Sequence, residues 1–220
     1  MRSLMTVMVL TLLCAAPVHG RAVYTQTFAP AASLTEFNQA AGTNGVFENI
    51  INVPDNILIT QVSITLTSLV HSWSGDLVIQ LQKVGGPTAT LVHRVGSIDG
   101  TFGSPNAYNG NYTFSSVAGS NLWIESLDLE QNPPADIPSG MYLTSGAVTG
   151  ATPFGQWGAN NSSLTAFNGL NSAGQWKVII TDMSSPNTGT LGGWSLNIVP
   201  GPSGLVAMMM CGLFGARRRR

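Results

Sequence analysis

Apolar and polar side chains alternate with a period of two in four stretches of the chain, the spacing of a β-strand that turns one face to a core. In "QVSITLT", Val62, Ile64 and Leu66 lie on one side and Ser63, Thr65 and Thr67 on the other. In "GDLVIQLQ", Leu77, Ile79 and Leu81 alternate with Val78, Gln80 and Gln82. Trp176, Val178 and Ile180 oppose Lys177, Ile179 and Thr181 in "GQWKVIITD", and Trp194, Leu196 and Ile198 oppose Ser195 and Asn197 in "GGWSLNIV". No stretch between residues 23 and 199 sustains the 3.6-residue period of a helix. Gly, Asn, Ser and Pro cluster between the runs, as in "KVGGPT", "QNPPADIPSG" and "MSSPNTGT". They supply the positive or fixed φ and the local side-chain hydrogen bonds that turns need. Short strands punctuated in this way over about 150 residues predict a single all-β domain, two sheets packed as a sandwich or jelly roll. Residues 23–44, a lead-in of Ala, Thr and Asn, are expected to contribute little core, and the domain to occupy residues 45–199.

Two apolar runs fall outside this alternation. The chain opens "MRSLMTVMVLTLLCAAPVHGRA", one arginine followed by an apolar run to Ala16, then Pro17 and small residues. With no polar face to make it an amphipathic helix, this layout predicts a secretory signal peptide over residues 1–22, cleaved after Gly20 or Ala22. The chain closes "VPGPSGLVAMMMCGLFGARRRR", where Pro200 and Pro202 stop the last strand and an apolar helix from Ser203 to Ala216 precedes four arginines. Basic residues of this kind stay on the cytoplasmic side of a membrane. The apolar run falls short of the roughly 20 residues that cross a bilayer comfortably. It reads better as a sorting segment that is recognised and cut than as a lasting anchor, the other reading of the same residues.

Charge sharpens this division. Only 9% of the 220 residues are charged and the net charge is −1. Setting aside Arg2 and the terminal arginines leaves four basic residues (Arg21, Lys83, Arg94 and Lys177) against ten acids, a net charge of −6 on the body. An acidic body is the wrong sign for nucleic acid, whose binders meet phosphate with cations. Both cysteines, Cys14 and Cys211, lie in the terminal segments, so the body carries neither disulfide nor thiolate.

The tail, with Pro200, Pro202, the apolar run and Arg217, Arg218, Arg219 and Arg220, resembles a PEP-CTERM signal, although Gly201 stands where that motif has glutamate. The resemblance implies processing by an exosortase-type enzyme, transient contact with the inner membrane, and export to the envelope, surface or extracellular matrix of a Gram-negative bacterium. A second resemblance covers most of the body. "INVPDNILITQVSITLTSLVHSWSGDLVIQLQKVGGPTATLVHRVG", then "YTFSSVAGSNLWIES", "PSGMYLTSG" and "LTAFNGLNSAGQWKVIITDMSSPNTGTLGGWSLNI", is similar in order to the P domain (P/Homo B domain). That family accompanies subtilisin-like proprotein convertases and many secreted bacterial proteases. It implies a jelly roll of the galactose-binding-like kind, in agreement with the alternation.

Candidate chemistry is sparse. The body has His71 and His93 and no Gly-x-Ser-x-Gly elbow, so a structural role is expected of both histidines and no enzyme activity of the chain. Asp55 and Asn56 in "VPDN", Asp76 after Gly75, and Asp182 with Asn187 in "TDMSSPNTG" place oxygen ligands on turns. Ca²⁺ takes six to eight such oxygens, and the P-domain resemblance adds to the expectation of a structural calcium at Asp55, Asp76, Asp182 and Asn187. Aspartates at turns also cap backbone N–H groups, and that reading stays open for each of them. Asn187 stands where related sequences frequently have aspartate. Trp176 and Trp194 belong to the core, while Trp73 and Trp157 lie in Gly/Ser turns where they would be free to stack on sugar rings. The expected function is a non-catalytic secreted or surface module that binds or scaffolds, with polysaccharide or a surface protein as partner. The alternative is a detached P domain that stabilises or regulates a separate secreted protease.

Overall fold

Alternation becomes pairing in the computed structural model, which describes residues 21–96, 103–130, 135–145 and 163–201. The strands are β1 (Ala22–Ser33), β2 (Gly45–Val53), β3 (Ile59–His71), β4 (Leu77–Lys83) and β5 (Thr88–His93). They continue with β6 (Tyr108–Ser115), β7 (Gly140–Leu143), β8 (Gly174–Asp182) and β9 (Gly189–Pro200). One sheet has the order β1-β9-β3-β6-β7 and the other β2-β8-β4-β5. Neighbours run antiparallel except β6 and β7. Apart from β4 with β5 and β6 with β7, strands adjacent in sequence are split between the sheets, as in a jelly roll, and the fold is the all-β sandwich expected from the period-two runs.

The four runs that alternate in sequence supply β3, β4, β8 and β9, and their apolar positions meet between the sheets. Ile64, Leu66, Leu77, Ile79, Leu81 and Trp194 are completely buried. Phe167 packs against Trp176 at 4.9 Å between ring centroids, and Tyr108 meets Tyr112 edge-on at 5.0 Å. Such pairs contribute about 0.5–1.5 kcal/mol beyond the area they bury. The indole N–H of Trp194 donates to Asn49 Oδ1 and that of Trp176 to the Ser172 carbonyl, so neither large ring buries an unsatisfied donor.

Two features differ from the sequence expectation. Residues 22–33 form the edge strand β1 rather than a featureless lead-in, paired with β9 from Ala22↔Ile198 to Ser33↔Thr190 across an irregularity. Its own contribution to the core is modest: Tyr24 and Phe28 are only partly buried, Phe28 meeting Phe47 edge-on at 6.1 Å. The pairing comes from the long partner strand β9, whose outer backbone N–H and C=O groups offer β1 a template. The second difference is the helix α1 (Leu122–Glu130). At nine residues it is too short to show a sustained period, and Asn121 starts it by accepting from the backbone N–H of Trp123 (3.0 Å) and Ile124 (3.4 Å) at its N-cap. The signal peptide up to Gly20, the C-terminal apolar helix and the sorting residues Pro202 and Arg217 to Arg220 lie outside the described residues. Pro200 is the last residue of β9.

Candidate functional site

Three turns meet at one end of the sandwich. β3 ends on His71, a one-turn 3-10 helix (Ser74–Asp76) leads into β4, and β8 ends on Asp182 just before the loop that carries Asn187 into β9. Register brings these ends together, because His71 pairs with Gly189 across β3 and β9, and Leu77 with Asp182 across β4 and β8. Gly189 is obligatory at this crossing: a Cβ there would lie 2.6 Å from the Val70 carbonyl and 2.7 Å from His71 Cδ2.

The resulting cluster is buried, with His71 0%, Asp76 1% and Asp182 2% exposed. Asn187 Nδ2 donates to Asp76 Oδ2 (2.9 Å), and Ser72 Oγ donates to Asn187 Oδ1 (3.0 Å), so one amide ties two turns. Asp182 accepts the backbone N–H of Ser184 on Oδ1 (3.1 Å) and of Phe37 on Oδ2 (3.4 Å). That oxygen lies 3.7 Å from His71 Nε2, which has no hydrogen-bond partner. The other ring nitrogen, Nδ1, sits 2.9 Å from the Trp73 carbonyl. The backbone is equally committed: Met183 N–H donates to the Asp76 carbonyl (2.9 Å) and Arg94 Nε to the Gly75 carbonyl (3.0 Å).

Burial pushes the Asp76 carboxyl above its usual value, and the charge of Asp182 pushes it the same way. The Asn187 N–H and the positive potential of His71 and Arg94 pull it back only in part. Asp76 thus sits at a water-poor end with a second carboxylate beside it. Asp76, Asp182 and Asn187 supply the carboxylate and amide oxygens of this cluster, and other oxygens would have to complete a calcium shell. Among the described residues no three His, Cys, Asp or Glu side chains are placed to hold one metal ion. The hydroxyls of Ser72 and Ser74 donate to Asn187 and to the Ser104 carbonyl rather than to His71.

Asp55 stands apart from the other three. It precedes β3 while His71 ends it, and thirteen residues of strand separate the two ends by roughly 40 Å. Its carboxylate is exposed and accepts the Tyr24 hydroxyl (2.6 Å), while its carbonyl accepts Ser172 Oγ. The structure therefore gathers Asp76, Asp182 and Asn187 and leaves Asp55 to a different task. His71 joins them in a structural role, its ring facing the Asp182 carboxylate and the Trp73 carbonyl. His93 lies on β5, where partial burial pushes its imidazole down. Trp176 and Trp194 are in the core, Trp123 is buried, Trp73 is half-buried, and Trp157 lies outside the described residues.

The family model of the proprotein convertase P-domain matches residues 138–198. Asp182 and Asn187 lie within the matched segment, His71 and Asp76 before it. No curated protein matches the chain. Among solved structures, the chain is similar to a serine protease of Aeromonas sobria at 13% identity and a TM-score of 0.44, covering 83% of this chain and 26% of the protease. It is similar at 14% identity and a TM-score of 0.42 to that protease in complex with its chaperone, covering 82% of this chain and 26% of that one. This chain thus spans about a quarter of the length of the proteases it matches.

Proposed function

We propose that this chain is a non-catalytic exported module that binds or scaffolds at the cell surface or in the extracellular matrix. The observation that carries the reading is the use made of the ionisable groups at the clustered end. Asp182 holds two backbone N–H groups, Asp76 is tied through Asn187 to Ser72, and His71 faces Asp182 and its own turn, so these side chains lock three turns rather than meet a substrate. Export rests on the signal-like start and the PEP-CTERM-like tail, with an exosortase-type enzyme as the processing partner. Intact-mass measurement of the exported product tests it: the mature chain is expected to end near Pro202, and a mass that retains Arg217 to Arg220 overturns the sorting reading. Calcium at Asp76, Asp182 and Asn187 is the structural ligand proposed for this end.

The match to the proprotein convertase P-domain over residues 138–198 favours one second reading, a detached module that stabilises a separate secreted protease. Adding the purified protein to a secreted subtilisin-like protease that lacks a P domain separates the two. A longer protease half-life supports the accessory role, and an unchanged one supports the surface module.

A further inference from the structure

β1 begins and β9 finishes side by side, at the end of the sandwich opposite His71. Ala22 pairs with Ile198 across these two strands, and Pro200 with Ile59 at the start of β3. Past Pro200 the chain is still held, because Gly201 is buried and its N–H donates to the Leu58 carbonyl (2.8 Å). The tail is therefore joined to a residue fixed against the sheet. Leu58 is bridged to Asn171, and residues 171–175 cross this end from one sheet to the other, to where Val84 N–H donates to the Gln175 carbonyl (2.9 Å). Leu58 is 57% and Val84 45% exposed, so two apolar side chains face water beside the point where the tail leaves.

Val46 and Val70 are exposed toward the other end, so apolar exposure alone does not distinguish the two. Charge does. The cations near the tail are held by uncharged oxygens: Lys83 Nζ donates to the Ala173 carbonyl (2.6 Å) and lies 5.2 Å from the Trp176 ring centre, and Arg21 Nη2 donates to Ser63 Oγ (3.3 Å). Asp55 is the acid beside them. At the opposite end Arg94 meets four acids: Asp76 and Asp182 in the cluster, Glu36 in the loop between β1 and β2, and Asp136 on Asn109 near the start of β6. An anionic lipid surface attracts each Lys or Arg near it by about 1 kcal/mol and takes apolar side chains into its headgroup layer. It repels the acid-rich end.

Chain length sets the distance. From Gly201 to Leu205 is four residues, at most about 14 Å of chain. As a helix, residues 203–216 would be about 21 Å long against a hydrocarbon core of roughly 30 Å, and a segment shorter than the bilayer draws its flanks toward the lipid. With Leu205 in hydrocarbon, Leu58 reaches the headgroup layer.

We propose that the end of the sandwich carrying Leu58, Val84, Lys83 and Arg21 is a membrane-facing surface that seats on anionic lipid while the tail still holds the chain in the bilayer. This rests on the sorting reading of the tail and names the surface with which the body meets the membrane before release. The test uses the chain from Arg21 to Arg220 in a Cys211→Ser background, with an environment-sensitive fluorophore at Leu58→Cys, Val84→Cys or Val70→Cys. All three side chains are exposed, so unchanged melting temperatures are expected. Each labelled chain is reconstituted into vesicles of phosphatidylglycerol with phosphatidylethanolamine, or of phosphatidylcholine alone, doped with headgroup spin-labelled lipid. In the anionic vesicles the labels at 58 and 84 are expected to be quenched at least about twofold more than the label at 70, and this difference to shrink in phosphatidylcholine. Equal quenching at all three positions in chains that sediment with the vesicles overturns the proposal and leaves the tail reading standing. A difference as large in phosphatidylcholine overturns the anionic surface. A chain that sediments with neither vesicle overturns the membrane role of the tail as well.

Discussion

Asp55 and Asp182 are both aspartates at the end of a strand beside a turn, yet the two ends of the sandwich use them in opposite ways. Asp55 stays in water and reaches one partner, the Tyr24 hydroxyl, which pins the edge strand β1 to the loop before β3. The exchange shows on the phenol, pushed up to about 12 by partial burial and then by the Asp55 carboxylate. Asp182 is taken out of water with Asp76, and the pair meets backbone N–H groups, an amide and one histidine. A carboxylate at the surface contributes a tether whose loss water repairs; a buried one becomes part of the framework, because its desolvation has already been incurred.

The sharpest way to break this contrast is Asp182→Ala. It leaves the Phe37 and Ser184 N–H groups without their acceptor in a closed site and is expected to cost about 3 kcal/mol, read from the urea midpoint. Gly189→Ala comes next, at about 1–3 kcal/mol, since the added methyl meets the backbone carbonyl of Val70 and the His71 ring rather than a side chain free to move.

Asp76→Asn tests the charge rather than the packing, because an amide can still accept from Asn187. The folded state raises the Asp76 carboxyl, so it holds this proton more tightly than the unfolded chain does. The associated stability is present below the unfolded value and is lost as pH rises through the folded one. In chelator, the wild-type melting temperature is therefore expected to decline above the usual aspartate range, and Asp76→Asn to remove that decline. Calcium is expected to raise the wild-type melting temperature, by about 2.7 kcal/mol of stability at a hundredfold excess over Kd, and to leave the variant nearly unmoved. A wild-type melt indifferent to both calcium and chelator overturns the calcium proposal. The smallest effect belongs to the exposed end: Tyr24→Phe is expected to cost less than about 1 kcal/mol, seen as faster amide exchange along β1 rather than a shifted melt.

Much of the sandwich was legible as alternation. β3, β4, β8 and β9 carry a period of two over much of their length because each buries one face against the opposite sheet, and their turns carry the Gly, Asn, Ser and Pro that chain reversal needs. β1 was not legible, because an edge strand with few buried positions has little apolar pattern to show. The candidate site was legible in part. Asp76, Asp182 and Asn187 stood out as oxygen ligands on turns, but Asp55 carried the same local signature.

What the sequence by itself determined is therefore local and periodic: which segments are strands, which residues face inward, and which acids sit at turns. What the tertiary structure decided is which of those acids meet. Asp76, Asp182, Asn187 and His71 are brought together by the register of β3 with β9 and of β4 with β8, while the length of β3 carries Asp55 to the far end. Cross-strand hydrogen bonding has no sequence-local signature, because its partners are distant along the chain and chosen by how the two apolar faces pack.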